Sequence, residues 1–159
     1  MRLVKANKAS DWATASNLLS RVIDRLDYLK KPLWVKEQVS IDALQQSYQL
    51  EELYFLLDEG SVGLVFLQES DPEFWPEITE HDSLYVHKLV IDPLRTGEQL
   101  GQQALDVIVL EAQKRGFNWV RLDCDDRPEL HLFYQSNGFK MIDIKQVGEF
   151  TVARYQRAI

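Results

Sequence analysis

The sequence predicts one α/β domain over residues 1–159, built on a mixed sheet of about seven strands with helices on both faces. Three observations predict it. Four segments carry apolar residues at helical spacing. Seven short runs are rich in strand formers. A strand–helix–strand core over residues 83–124 sits between flanking hairpins, which is how a sheet becomes mixed. A chain of 159 residues suits one domain. Its 45% apolar content builds a core without disulfides.

The elements follow in order. Residues 2–7 alternate weakly and read as a short strand. Ser10 is placed to cap a helix, with Asp11 favourable in its first turn. Trp12, Ala15, Leu19, Val22, Ile23, Leu26 and Leu29 recur at helical spacing, so residues 11–29 read as a long amphipathic helix. Lys31-Pro32 stops it. Ser40 caps a shorter helix whose Ile41, Leu44 and Tyr48 share a face. Leu53–Leu57 and Val62–Leu67 flank Asp58-Glu59-Gly60-Ser61, a hairpin in which Gly60 supplies any positive φ. Residues 70–82, with Pro72, Trp75, Pro76 and His81, read as a loop. Ser83–Ile91 is a strand stopped by Asp92-Pro93. Leu100–Arg115 is a helix with Leu100, Ala104, Leu105, Ile108 and Ala112 inside, closed by Gly116. Trp119–Cys124 is a strand, and Pro128–Ser136 a helix with an early proline. Phe139–Gln146 and Phe150–Gln156 form the last hairpin about Gly148.

Charge and composition narrow the function. The net charge is −7, against the basic stripe expected of a nucleic-acid binder. No apolar run approaches the ~20 residues of a membrane span. The opening Met1–Lys8 lacks a signal peptide's apolar core. A cytoplasmic protein with no nucleic-acid or membrane partner is expected. One cysteine and three histidines leave any metal to carboxylates, and no metal is expected.

The segment Leu89-Val90-Ile91-Asp92-Pro93-Leu94-Arg95-Thr96-Gly97-Glu98-Gln99-Leu100-Gly101 runs from strand to helix through a glycine-bearing loop. Such a turn points unpaired amides and a positive helix end at one place, which suits a phosphate or pyrophosphate. It is neither a P-loop nor a dinucleotide fingerprint. The competing reading is a plain packing turn. Cys124 reads as a buried small hydrophobe rather than a nucleophile. Asp123, Asp125 and Asp126 make an acidic cluster with a passing metal look and, taken with no histidine nearby, read as a solvated strand end.

Three stretches resemble the GNAT acetyltransferase superfamily. Val86-His87-Lys88-Leu89-Val90-Ile91-Asp92-Pro93, with Gly97 and Leu100-Gly101 after it, is similar to the family's motif A. Val120-Arg121-Leu122-Asp123-Cys124 is similar to its fifth strand. Leu132-Phe133-Tyr134-Gln135-Ser136-Asn137-Gly138-Phe139 is similar to its motif B helix. The loop departs from the family pattern at Leu94 and Gln99, and Arg127 stands where motif B often has Asn.

The resemblance implies an acetyl-CoA-dependent N-acetyltransferase acting by direct transfer. The backbone of Leu89, Val90 and Ile91 would pair with the pantetheine arm. Arg95, Thr96, Gly97, Glu98, Gln99, Leu100, Gly101 and Gln102 would hold the pyrophosphate, and Arg127 a CoA phosphate. Tyr134 would border the thioester and protonate the leaving thiolate. His87 stands where many members carry a glutamate base; it would take the amine proton, or simply face a half-buried sheet surface. Trp34, Trp75 and His81 fall in segments that line the acceptor side. The acceptor is an amine-bearing small molecule or peptide, and the protein a monomer or homodimer. The alternative is a catalytically weak GNAT-fold module that binds CoA or a protein.

Overall fold

The computed structural model describes residues 1–159. In chain order the elements are β1 (Arg2–Lys5), α1 (Asp11–Tyr28), α2 (Ile41–Ser47), β2 (Leu53–Leu57), β3 (Ser61–Gln68), β4 (Ser83–Ile91), α3 (Leu100–Lys114), β5 (Trp119–Asp125), α4 (Pro128–Ser136), β6 (Lys140–Val147) and β7 (Phe150–Ala158). The seven strands form one sheet in the order β1-β2-β3-β4-β5-β7-β6. β4 and β5 run parallel, whereas β1–β2, β2–β3, β5–β7 and β6–β7 are antiparallel, so the sheet is mixed. No helix is long and apolar enough to cross a membrane.

By its internal contacts the chain divides into two compact units: Met1–Phe66 with Lys88–Ala104, and Leu67–His87 with Leu105–Ile159. In the first, the inner stripe of α1 (Trp12, Ala15, Leu19, Val22, Ile23) packs with Leu44 of α2 and with Leu53, Leu64, Phe66 and Val90 of the strands. Tyr48 and Trp12 stack on Phe66 with centroids 4.0 and 6.4 Å away. Gly63 is required by this packing. A Cβ there would meet the Val90 carbonyl oxygen at 2.2 Å. In the second unit Leu105, Ile108 and Ala112 of α3, Val120 and Leu122 of β5, and Ala153 and Tyr155 of β7 are buried.

Element placement agrees with the sequence reading, with local corrections. Ser10 holds the N-cap position of α1 but does not cap it through its side chain. Its own backbone is already helical (φ −65°, ψ −15°) and its side chain makes no cap bond. Asp11 instead accepts from the amides of Asn7 and Lys8 at 3.0 and 3.2 Å, which fastens the incoming turn. The helix stops at Tyr28, before Lys31-Pro32, because Lys30 turns left-handed (φ 57°), and Leu29 is therefore exposed. Ser40 does cap α2, accepting from Ala43 N at 3.2 Å. Ile41 lies at the first position of that short helix and faces outward, leaving Leu44 as its buried residue. In the β2–β3 hairpin both Glu59 (φ 49°) and Gly60 (φ 110°) are left-handed. Lys88 also adopts positive φ (49°) within β4, a local break in an otherwise extended strand that no glycine marks.

Candidate functional site

In the first unit, β4 leads directly into the glycine-bearing loop. Asp92 anchors it twice. Its amide donates to Val62 O at 2.8 Å, and its carboxylate accepts from Leu94 N at 3.0 Å. The same carboxylate grips Arg21 of α1 through two bonds of 2.9 and 3.0 Å. Burial pushes its acidity down, but the Leu94 amide and Arg21 outweigh that and hold its pKa below the ordinary value. A 3-10 turn over Pro93–Arg95 follows, then Gly97 (φ 92°) and Gln99 (φ 54°), and α3 begins at Leu100. Two left-handed residues in three fold the chain back on itself. Ile91, Arg95, Thr96, Gly97, Gln99, Leu100 and Gly101 then line a hollow of about 400 Å³. The first-turn amides of a fifteen-residue helix have no intrahelical acceptors. The guanidinium of Arg95 bonds Asp58 O and Glu98, both at 3.3 Å. Leu94 is exposed. Trp34 packs on the core of this unit with Lys88 Nζ 4.6 Å above its ring.

In the second unit, α4 buries Tyr134. Its ring meets Phe133, Tyr155 and Phe139 at centroid distances of 5.1, 5.6 and 5.8 Å. Burial, with Cys124 and Asp123 nearby, pushes the phenol well above its usual pKa, so the hydroxyl keeps its proton at neutral pH. Burial and three neighbouring carboxylates also push the Cys124 thiol up to about 12, which does not suit a nucleophile; Cys124 is half-buried, not the fully buried residue the sequence suggested. Arg127, whose side chain bonds Asp125 at 2.6 Å, stands just before α4.

The acidic strand end is not simply solvated, and histidines are near it. Asp126 meets His131 Nε2 at 2.7 Å, and His131 Nδ1 meets the Tyr155 hydroxyl at 2.6 Å. Asp123 joins Asp71 and His87, with one ligand atom from each lying within 4.8 Å of the others. His87 Nε2 is 3.7 Å from Asp71 Oδ2. The Asp71 side chain is only 6% exposed and that of His87 14%. Asp71 Oδ1 accepts from Phe74 N at 3.1 Å, while Oδ2 has no hydrogen-bond partner. Burial raises the Asp71 pKa, against the lowering effect of the Phe74 and Glu73 amides.

One arginine fastens the loop that carries Asp71. Arg154 of β7 bonds Asp143 at 2.8 and 2.7 Å, Glu77 at 2.5 Å and Phe74 O at 3.0 Å. Its guanidinium lies 4.6 Å over Trp75, which is 2% exposed and also meets Tyr85. Arg121 adds bonds to Ser83, Asp82 and Gln156. Trp75 therefore fills the space under its loop and does not face solvent. His81 is exposed on the same loop.

Sequence reasoning singled out His87 and Tyr134 as candidates and did not name Asp71, His131 or Arg154, of which Asp71 lies beside His87 in the structure. Asp71 carried one faint signal, an Asp-Pro step at the start of a turn. Asp123 carried another, since it alternates with Arg121 on one face of β5.

No protein-family model matches the sequence, and no curated protein matches it. Solved structures do match its fold. A GNAT-family acetyltransferase from Listeria monocytogenes superposes with a TM-score of 0.78 at 17% identity, covering 99% of this chain and 94% of that one. The aminoglycoside acetyltransferase AAC(6')-Ib, bound to coenzyme A and kanamycin, gives 0.72 at 15% identity over 99% of this chain and 94% of its own. N-acetylglutamate synthase from Neisseria gonorrhoeae, bound to coenzyme A and N-acetylglutamate, gives 0.68 at 14% identity, covering 98% of this chain and 34% of that one.

Proposed function

From the fold that this chain shares with the GNAT acetyltransferases, we propose that it moves an acetyl group from acetyl-CoA to an amine by direct transfer. The observation that carries the reading is the hollow at the start of α3. Exposed amides, two left-handed residues and a helix N-terminus suit a pyrophosphate there. Structural neighbours with bound coenzyme A support the same ligand.

The roles follow. The β4 backbone from Leu89 to Ile91 pairs with the pantetheine arm. Amides from Arg95 to Gln102 bind the pyrophosphate, and Arg127 a further phosphate. His87 takes a proton from the acceptor ammonium, and the freed nitrogen lone pair attacks the thioester carbon. A backbone amide near Leu89 steadies the oxyanion. As the carbon–sulfur bond breaks, the thiolate takes the Tyr134 proton and the phenolate recovers one from the attacking nitrogen, leaving an amide and CoA. Tyr134 suits this because burial keeps it protonated until a strong base forms beside it.

Calorimetric titration with acetyl-CoA tests the reading, with ATP for comparison. Micromolar binding, about −8 kcal/mol, with ATP much weaker, supports it. Tyr134→Phe then lowers kcat about 10²–10⁴-fold with the acetyl-CoA Kd unchanged. His87→Ala removes the acidic limb of the pH–rate profile. A second reading, a CoA-binding module without catalysis, is favoured by Gln99, whose side chain stands in the loop where the family has a small residue. Tight acetyl-CoA binding with no acetylation across an amine panel would select it. No binding at millimolar acetyl-CoA would refute both.

A further inference from the structure

We propose that Asp71 is the positioning residue of His87: it keeps the proton of the neutral ring on Nε2, and it pairs with the imidazolium once His87 has taken a second proton. The catalytic use of the pairing rests on the acetyl-transfer reading, but the pairing itself stands on the geometry of the two side chains.

Three observations carry it. The first is a contact. Asp71 Oδ2 lies 3.7 Å from His87 Nε2, and the two side chains are 6% and 14% exposed. The second is aim. Asp71 Oδ1 accepts from Phe74 N at 3.1 Å, and the Asp71 carbonyl accepts from Trp75 N at 2.8 Å, so the carboxylate is fixed on its own turn. Arg154 ties that turn to β7 through Phe74 O at 3.0 Å. The third is an unmet acceptor. Asp71 Oδ2 is buried with no hydrogen bond, which is costly for a carboxylate oxygen, and a protonated Nε2 supplies the donor. A charged N–H···O pair closes to about 2.7–2.9 Å, so a movement of about 1 Å completes the bond. Catalytic hydrogen bonds are often long at rest and tighten as charge develops.

The pairing does two things for the base. With its proton held on Nε2, the neutral ring keeps its lone pair on Nδ1, and the incoming proton is taken there. The product is an imidazolium whose Nε2–H faces a carboxylate, and the added proton is later lost to water. An imidazole this buried would otherwise resist the charge. Asp123 of β5, with a carboxylate oxygen within 4.8 Å of the His87 and Asp71 atoms, favours the cation in the same sense. Tyr85 of β4 also feels the Asp71 charge, and burial raises its pKa, so it stays a neutral phenol. Asp71 acts through His87.

The test is Asp71→Asn in the full chain, read first by nitrogen-15 NMR of the His87 ring without acetyl-CoA. Asparagine keeps an oxygen for the Phe74 amide, which puts its NH2 where Oδ2 stood. That donor is met only by an unprotonated Nε2. The expected result is a neutral ring protonated on Nε2 in the parent and on Nδ1 in Asp71→Asn. The midpoint of the His87 titration should also fall by about one pH unit or more, because an opposite charge has gone. In the acetylation assay kcat should fall at least about tenfold, and no further than the about 10²–10⁴-fold loss of His87→Ala, with the acetyl-CoA Kd unchanged. A residue that only holds its loop would move neither the tautomer nor the titration. The proposal is overturned if the parent ring carries its proton on Nδ1, or if Asp71→Asn leaves the tautomer and the midpoint where they were. If Asp71→Asn fails to fold, the tautomer in the parent decides alone. A chain that shows both NMR changes yet never acetylates keeps the pairing and loses the acetyl-transfer reading.

Discussion

Replacing Arg154 by methionine should cost about 2–3 kcal/mol of folding stability at neutral pH. The value follows from the geometry. Arg154 is 5% exposed and makes four hydrogen bonds, two to Asp143, one to Glu77 and one to Phe74 O. Breaking a fully buried ion pair costs ~3–5 kcal/mol, mostly because a charge is stranded. Here Glu77 and Asp143 are 47% and 41% exposed, so water recovers both and the cost falls. Methionine keeps the packing of the stem over Trp75. What remains is the bond network itself and the unmet Phe74 carbonyl, hence about 2–3 kcal/mol. For a chain this long each kcal/mol lowers Tm by about 2–4 °C.

The pH dependence sharpens the test. Arg154 hydrogen bonding holds the Asp143 pKa below 3.8. Burial raises that of Glu77, but its own backbone amide and Arg154 bring it below 4.5. Both folded-state values are depressed. Their stabilisation is therefore complete above those ordinary values and is lost as pH falls through the folded ones. Urea unfolding of parent and Arg154→Met should differ most at pH 7 and converge towards pH 3. Equal midpoints at pH 7, or a gap unchanged at pH 3, would refute the argument.

Three further outcomes are expected. Gly63→Ala places a Cβ 2.2 Å from the Val90 carbonyl, so the strands must part; a loss above ~3 kcal/mol in urea unfolding checks it, and a loss below 1 counts against it. Gln99→Gly removes a side chain from a left-handed backbone at φ 54°, which should raise stability by up to about 1 kcal/mol and tighten acetyl-CoA binding in the same titration. Cys124, with its thiol pKa pushed up to about 12, should resist iodoacetamide at pH 8, where under ~0.1% of it is thiolate; modification by mass spectrometry within minutes would contradict its burial.

The elements were legible because their signals are local. Helical spacing in α1 and α3, the Asp58–Ser61 turn and the Pro128 start each depend on neighbours in sequence. The same locality explains the misses. Ser10 and Asp11 are both good caps, and only the path of the incoming chain decided for Asp11. Lys88 and Gln99 are left-handed without being glycine, so no residue type announced those bends. In the site, Tyr134 and His87 were visible through a family pattern. Asp71 and Asp123 were not, because a loop and a strand far apart in sequence bring them together. An acidic strand end looks solvated until a distant segment supplies its histidine.

The tether from Arg154 also sets an order of assembly. It joins positions 80 residues apart, Phe74 and Arg154. β7, the last strand in the chain, lies between β5 and β6 and not at the margin of the sheet. A growing chain is extended at about 5–20 residues per second, so the 70–82 loop waits some 4–16 s for its anchor. Until β7 slots between strands already made, Trp75 lacks the nearer of the two guanidiniums over its ring and its loop lacks the Arg154 tether. The 70–82 loop is thus anchored only after the strands around it have formed.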